Sequence, residues 1–234
     1  MAKNVVTLKR STIKQKTILI DFDGVISKNS ILYNFRTAYQ FINQYTPVPY
    51  ESVFHFLKST TAFSMKTTLD FLFTSLGISD ISELQQEQLL RNLYKNYTTV
   101  EIEEHFYHFL DFCDKMSIRY YIFSSADKVL KEIPEFCNRV GIKNIYNLKG
   151  RSKADSSTYL SLARDLNINL EKAILIDDTP LALQVGKLNN LTTIMMINDV
   201  FTLEDFQTFK SYIDYKINSF SDLGEVVNGL LFRK

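Results

Sequence analysis

Four short runs of β-branched and large apolar residues, TILI (17–20), IRYYIF (118–123), KAILI (172–176) and TTIMMI (192–197), alternate along the chain with segments of helical period. Runs of this length bounded by turn signals read as strands buried on both faces. Strands that alternate with helices are satisfied by a parallel sheet with helices packed against it. DKVLKEIPEFCNRVG, DSSTYLSLARDLN and LALQVGKL supply such helices, and EIEEHFYHFLDFCDKM (101–116) reads as one more, leading into the second strand. A further short strand is expected near NIYNL, and YKINSFSDLGEVVNGLL closes the chain as an extended piece and a helix.

The alternation is interrupted once. From Ser30 to about Tyr97 the segments SILYNFRTAYQFINQY, YESVFHFLKS, MKTTLDFLFTSLG and ISELQQEQLLRNLYKNY all carry the 3.6-residue period, with Pro47 and Pro49 breaking the first from the second. The expected organisation is a basic tail over 1–16, an α/β core built from 17–29 and 99–234, and a helical insertion over 30–98. A chain of 234 residues has room for one core carrying such an insertion. A net charge of +1 gives no electrostatic reason to expect nucleic acid or an anionic membrane surface as partner. Cys113 and Cys137 have no metal-ligand spacing and suggest no disulfide framework, so a reducing cytoplasm is expected. The tail residues Lys3, Lys9, Arg10, Lys14 and Lys16 read as a solvated arm, without the apolar stretch of a secretion signal.

In open α/β sheets, ligands bind beyond the carboxyl ends of the strands. Four of those ends are unusual here. The first strand runs into Asp21-Phe22-Asp23-Gly24, the second into Ser124 and Ser125, and the third into Asp177 and Asp178; Lys153 stands in the loop GRSKADSS before a helix. Thr179-Pro180 is an ordinary helix start, which leaves the two preceding acids unexplained by capping. Carboxylates this close repel one another and need a donor, solvent or a cation between them. Residues i and i+2 of an extended strand end face the same side, so Asp21 and Asp23 can act on one bound group.

Taken in order, Asp21/Asp23, Ser124, Lys153 and Asp177/Asp178 resemble the motif set of the haloacid dehalogenase superfamily, most of whose members are phosphatases. The resemblance runs from Thr17 to the closing INSFSDLGEVV. It implies a Rossmann-like core with a helical cap inserted after the first motif, as in phosphoglycolate phosphatase and β-phosphoglucomutase. It further implies a Mg²⁺ ion held by the carboxylates of Asp21 and Asp178 and the backbone carbonyl of Asp23, with Asp177 either ligating directly or orienting a metal water. Asp21 would be the nucleophile, Asp23 the general acid and then base, and Lys153 the offset to charge repulsion. Ser124 would bind a phosphoryl oxygen through its hydroxyl, and backbone N–H groups near Asp23 and Ser125 would help.

The second acid, Asp23, marks phosphatases and phosphotransferases rather than dehalogenases in this superfamily. Tyr33 stands where β-phosphoglucomutase carries a histidine, which favours a phosphatase over a mutase. Ala154 replaces a usual proline after the lysine, and Ala182 a common acid after the last motif. Selectivity is expected from the cap, through Tyr33, Arg36, Lys58 and Lys66 with Phe35 and Phe63 as walls. The expected partner is a small phosphorylated organic molecule. A phosphotransferase or mutase of the same fold, or a non-catalytic binding protein, are the alternatives. His105 and His108, three apart on a helix, are read as packing or surface residues in preference to a metal site.

Overall fold

The computed structural model describes residues 16–79 and 81–232, so the basic arm up to Lys14 lies outside the described residues. Five strands, β1 (Thr17–Ile20), β2 (Arg119–Ile122), β3 (Ala173–Asp177), β4 (Thr192–Met196) and β5 (Tyr215–Ile217), form one parallel sheet in the order β2-β1-β3-β4-β5. The register sets the site. Ile20 of β1 pairs with Ile122 and with Ile176, so Asp21 follows level with Asp177, and its N–H donates to the Ile176 carbonyl at 2.9 Å. Paired residues of parallel strands point the same way.

Side chains alternate between the two faces of the sheet. Leu19, Leu175 and Met195 join one apolar cluster, and Ile18, Ile20, Ile174, Ile176, Ile194 and Met196 join the other. The second cluster is covered by α5 (Phe106–Lys115), α7 (Pro134–Val140) and α11 (Phe220–Phe232). The first is covered by α8 (Ser156–Leu166) and α9 (Pro180–Leu188). It also runs on without a break into the insertion helices α1 (Ser30–Ile42), α2 (Tyr50–Thr60), α3 (Met65–Ser75) and α4 (Glu83–Lys95), through Phe35, Leu57, Leu69 and Leu89. Gly186 lets α9 lie close on β3: a Cβ there would stand 2.6 Å from Leu175 Cδ2. That approach fixes the Asp177–Thr179 turn against the sheet.

Three expected elements differ in detail. The segment near NIYNL contributes a single bridge, Ile145 to Ile122, in place of a strand. DKVLKEIPEFCNRVG is two helices, α6 (Asp127–Leu130) and α7, because Pro134 holds Ile133 extended (φ −97°, ψ 100°) and starts α7 at its first turn. EIEEHFYHFLDFCDKM becomes helical only from Phe106; its leading residues return the chain to the core, with the Glu103 N–H donating to the Ile26 carbonyl at 2.7 Å. A helix not anticipated, α10 (Leu203–Phe209), begins at a capping box formed by Thr202 and Asp205. No helix among the described residues is long and apolar enough to cross a membrane.

Candidate active site

Asp21, Asp177 and Asp178 meet at the carboxyl ends of β1 and β3, each buried, with carboxylate oxygens within 4.8 Å of one another. Lys153 reaches the first two from the loop before α8: its Nζ lies 2.6 Å from Asp21 Oδ2 and 2.8 Å from Asp177 Oδ2. That loop is tied to the insertion, since the Lys153 N–H and the Ser152 hydroxyl both donate to the Ala62 carbonyl, at 3.1 and 2.8 Å. The insertion is therefore docked over the acids through the lysine's own loop.

Each acid has a defined set of partners. Asp21 Oδ1 accepts the Phe22 N–H at 2.7 Å, and Asp177 Oδ1 accepts the Thr179 N–H at 2.9 Å. Asp178 accepts the Thr179 hydroxyl at 3.1 Å and the Asn198 amide at 2.7 Å. Asn198 stands just past β4; its Oδ1 accepts the N–H groups of Val200 and Phe201, which leaves its Nδ2 to serve Asp178 and the Gly24 carbonyl. Phe22 is fully buried between the two acids of the first motif, edge-on to Phe136 at 5.3 Å. Asp21 and Asp23 both line the cavity above it.

The charges do not balance within the protein. Burial pushes the Asp21 carboxyl up; Lys153 opposes the rise and Asp177 and Asp23 add to it, leaving it raised to about 8. Burial, reinforced by Asp177 and Asp21, holds Asp178 well above the usual carboxylate range. Burial would lower the Lys153 ammonium, but Asp177 and Asp21 outweigh it and hold the group above its ordinary value. One ammonium among three buried carboxylates leaves a deficit of positive charge. The donor set is all oxygen, which suits a hard divalent cation. The residues present therefore fit a metal ion.

Gly24 closes the turn beside this cluster at φ +72°, and a Cβ there would lie 1.8 Å from Asp178 Oδ2. Gly24→Ala thus adds left-handed strain of about 1–2 kcal/mol to a clash with a metal-ligand candidate. The expected result is a melting temperature lower by at least roughly 4 °C and divalent-cation affinity weakened about tenfold or more. Thermal melts and calorimetric titration with Mg²⁺ check it; unchanged values in both would refute the close approach.

A cavity of about 450 Å³ opens above the cluster, within the range of small-molecule sites. Its floor carries Asp21, Asp23, Lys153 and Asp178, and its walls include Phe35, Phe63 and Lys66 from the insertion, as the sequence suggested. Ser125, not Ser124, belongs to the wall. Ser124 is buried, and its Oγ accepts the Ala126 N–H at 3.1 Å, so its hydroxyl hydrogen is what it still has to offer. Tyr33 and Arg36 are not brought to the cavity: both sit exposed on α1, while Ile31, Asn34 and Phe35 on the adjoining face turn inward. Lys58 is engaged elsewhere, paired with Asp205 of α10 at 2.9 Å. His105 and His108 lie on the α5 side of the sheet, near one another and outside the cavity lining.

Three site residues escaped the sequence reading. Asn198 ends the strand run TTIMMI and could have been found by the same strand-end rule. Asn34 and Tyr97 have no such signal, because inside a helical period they are indistinguishable from packing residues. The Tyr97 hydroxyl donates to Asp23 Oδ2 at 2.7 Å, and Asn34 Nδ2 donates to the Tyr97 oxygen at 3.3 Å.

No protein-family model matches the chain, and no curated protein matches it by sequence. Solved structures do match it. A haloacid dehalogenase-like protein from Agrobacterium tumefaciens superposes with a TM-score of 0.63 at 14% identity, over 92% of this chain and 99% of its own. A β-phosphoglucomutase from Clostridium difficile gives 0.68 at 16% identity, over 94% and 100%. A family hydrolase of the same fold from Deinococcus radiodurans R1, solved with bound phosphate and sodium, gives 0.64 at 16%, over 93% and 97%. Together with the parallel sheet and its helical insertion, these matches establish that the chain has the haloacid dehalogenase-like fold, of the kind seen in hydrolases and β-phosphoglucomutases.

Proposed function

We propose that the protein is a Mg²⁺-dependent phosphatase that hydrolyses a small phosphorylated metabolite through a phosphoryl group carried on Asp21. The observation that carries this reading is the meeting of Asp21, Asp177 and Asp178 with Lys153 on the floor of a cavity that also holds Asp23. Asp21, Asp178 and the backbone of Asp23 would hold the ion, with Asp177 already bound to Lys153 and to the Thr179 N–H. When bound, the ion offsets phosphate charge and polarises the phosphoryl oxygens.

An Asp21 carboxylate oxygen attacks phosphorus, and the bond from phosphorus to the ester oxygen breaks. Asp23 gives its proton to that departing oxygen. A water then surrenders a proton to Asp23 and attacks the phosphorus, and the bond to Asp21 breaks to release phosphate. Lys153 stays charged throughout and reduces repulsion between Asp21 and the phosphate dianion. The Ser124 hydroxyl and the backbone N–H of Ser125 are the donors for the remaining phosphoryl oxygens.

Residues 30–98 serve as the cap over the core of 17–29 and 99–234. Its contribution to the cavity is mixed: Ile31, Phe35, Leu57, Phe63 and Met65 stand beside the hydroxyl-bearing Thr61, Ser64, Thr67 and Thr68, and Lys66, paired with Asp70 at 2.9 Å, is the one cation among the described cap residues there. This suits an organic phosphate that offers both apolar surface and hydrogen-bonding groups. The cap residues lining the cavity include no acid and no histidine among those described, which supports water over a second substrate hydroxyl as acceptor. The test is incubation with an aryl phosphate and Mg²⁺, acid quench, and mapping of the phosphoryl adduct. Free phosphate with the adduct on the peptide holding Asp21 is expected. An adduct elsewhere, or release of the phenol without free phosphate, would reject the reading.

A further inference from the structure

Asp23 is held by a chain of hydrogen bonds that begins at Asn96. Asn96 Nδ2 donates to Asn34 Oδ1 at 3.2 Å and to Thr37 Oγ1 at 3.2 Å. Asn34 Nδ2 faces the Tyr97 oxygen at 3.3 Å and occupies one of its lone pairs. The Tyr97 hydrogen then goes to Asp23 Oδ2, at 2.7 Å. Asn34 and Tyr97 are both buried, and the Tyr97 ring leans on Phe22 at 5.8 Å. Asp23 Oδ1 is buried away from solvent, and Ser30 on α1 is a further hydrogen-bonding neighbour of the carboxyl.

We infer that Tyr97, backed by Asn34, is a positioning residue that fixes the Asp23 carboxyl for delivery of its proton to the leaving group. Its hydroxyl holds Oδ2, so the plane and direction of the carboxyl are set by a group of the insertion. During the first step the Asp23 proton passes to the ester oxygen as its bond to phosphorus breaks, and the phosphoryl group passes to Asp21. Without the tyrosine hydroxyl the carboxyl can rotate away from that oxygen. Both groups that hold Asp23 come from the two ends of the insertion, Asn34 on α1 and Tyr97 in the short turn after α4 (Asn96–Thr98). This inference rests on the phosphatase reading above.

The test uses leaving-group chemistry. An alkyl ester such as β-glycerol phosphate needs a proton on its departing oxygen, whereas p-nitrophenyl phosphate leaves as a stable anion. Tyr97→Phe keeps the ring and removes the donor. The expected result is a fall in kcat/KM, which reports the transfer to Asp21, that is about tenfold greater on the alkyl than on the aryl ester. Asn34→Ala should show the same bias to a smaller degree, and it provides a second reading should Tyr97→Phe lose its fold. In an Asp23→Asn background, Tyr97→Phe should bring no further loss on the alkyl ester. Equal losses on both esters, or full additivity with Asp23→Asn, would overturn the inference while leaving the phosphatase intact. No turnover of either ester by the parent protein would instead overturn the phosphatase reading and this inference with it.

Discussion

Asp21→Asn lowers kcat for phosphoester hydrolysis by roughly 10⁴-fold or more if Asp21 is the nucleophile. The amide keeps the shape of the carboxyl and can still accept the Phe22 N–H, which Asp21 Oδ1 accepts at 2.7 Å. It lacks the charge and the basic oxygen that attack phosphorus. The variant also removes one of three crowded, buried carboxylates whose ionisation burial already resists. Its metal-free form should therefore melt at the same temperature as the parent or higher, the usual opposition of stability and activity at a functional site. Initial rates of phosphate release with Mg²⁺, alongside thermal melts in chelator, measure both. Activity within tenfold of the parent would remove Asp21 as nucleophile, and a large drop in melting temperature would mean that the carboxylate is structural.

Lys153→Met has the second largest effect, and here stability should change with activity. The lysine is the ammonium bridging Asp21 and Asp177, and all three side chains are buried. Removing one partner of such a pair costs about 3–5 kcal/mol when the remaining charge cannot escape. Asp21 can escape by taking a proton, so the loss depends on pH. In the parent, Asp21 is raised from 3.8 to about 8, so between these values the folded protein holds a proton that the unfolded chain releases. Stability of the metal-free protein accordingly falls as pH rises through that window. Lys153 is held above its ordinary value of 10.5, so it remains charged across the window and its contribution is lost only at higher pH. The variant should thus be less stable than the parent throughout, through the lost contact with buried Asp177, and the gap should widen as pH rises past about 8, where Asp21 of the parent takes on the charge that Lys153 offsets. A loss of about 3–5 kcal/mol corresponds to a gap of roughly 6–20 °C in melting temperature for a chain of this length. Phosphatase activity should drop at least about 10²-fold. Melts in chelator on either side of pH 8, at about pH 7 and about pH 9.5, test the first part; a gap that does not widen with pH would show that Lys153 does not offset the Asp21 charge.

Much of this site was legible because its residues lie where the chain itself marks them. A buried parallel strand has no polar residue to spare until it ends, so Asp21, Ser124 and Asp177 stand out against TILI, IRYYIF and KAILI. The alternation of short apolar runs with helical segments gave the parallel sheet, and the long helical stretch gave the insertion, because the length of an apolar run and the 3.6-residue period are both written in the order of side chains. Boundaries were less legible. Pro134 divided a helix, and the stretch before Phe106 stayed out of the helix because the Glu103 N–H pairs with the Ile26 carbonyl across the first motif, a partner far away in sequence.

Which face of an insertion helix meets the site was legible only in part, since Phe35 was expected to face it but so were Tyr33 and Arg36. Tyr33, Asn34, Phe35 and Arg36 are consecutive on α1, and nothing local says that the second and third turn inward while the first and last face water. That choice is made by packing: Phe35 joins the apolar cluster that continues into the sheet, and its burial carries Asn34 onto Tyr97 and Tyr97 onto Asp23. By itself the order of residues determined the strands, the strand-end acids and the lysine loop, since these depend on neighbours along the chain. The orientation of Asp23, the seat of Asn198 beside Asp178 and the wall of the cavity were decided by tertiary structure, because each depends on hydrogen bonds between residues up to 174 positions apart.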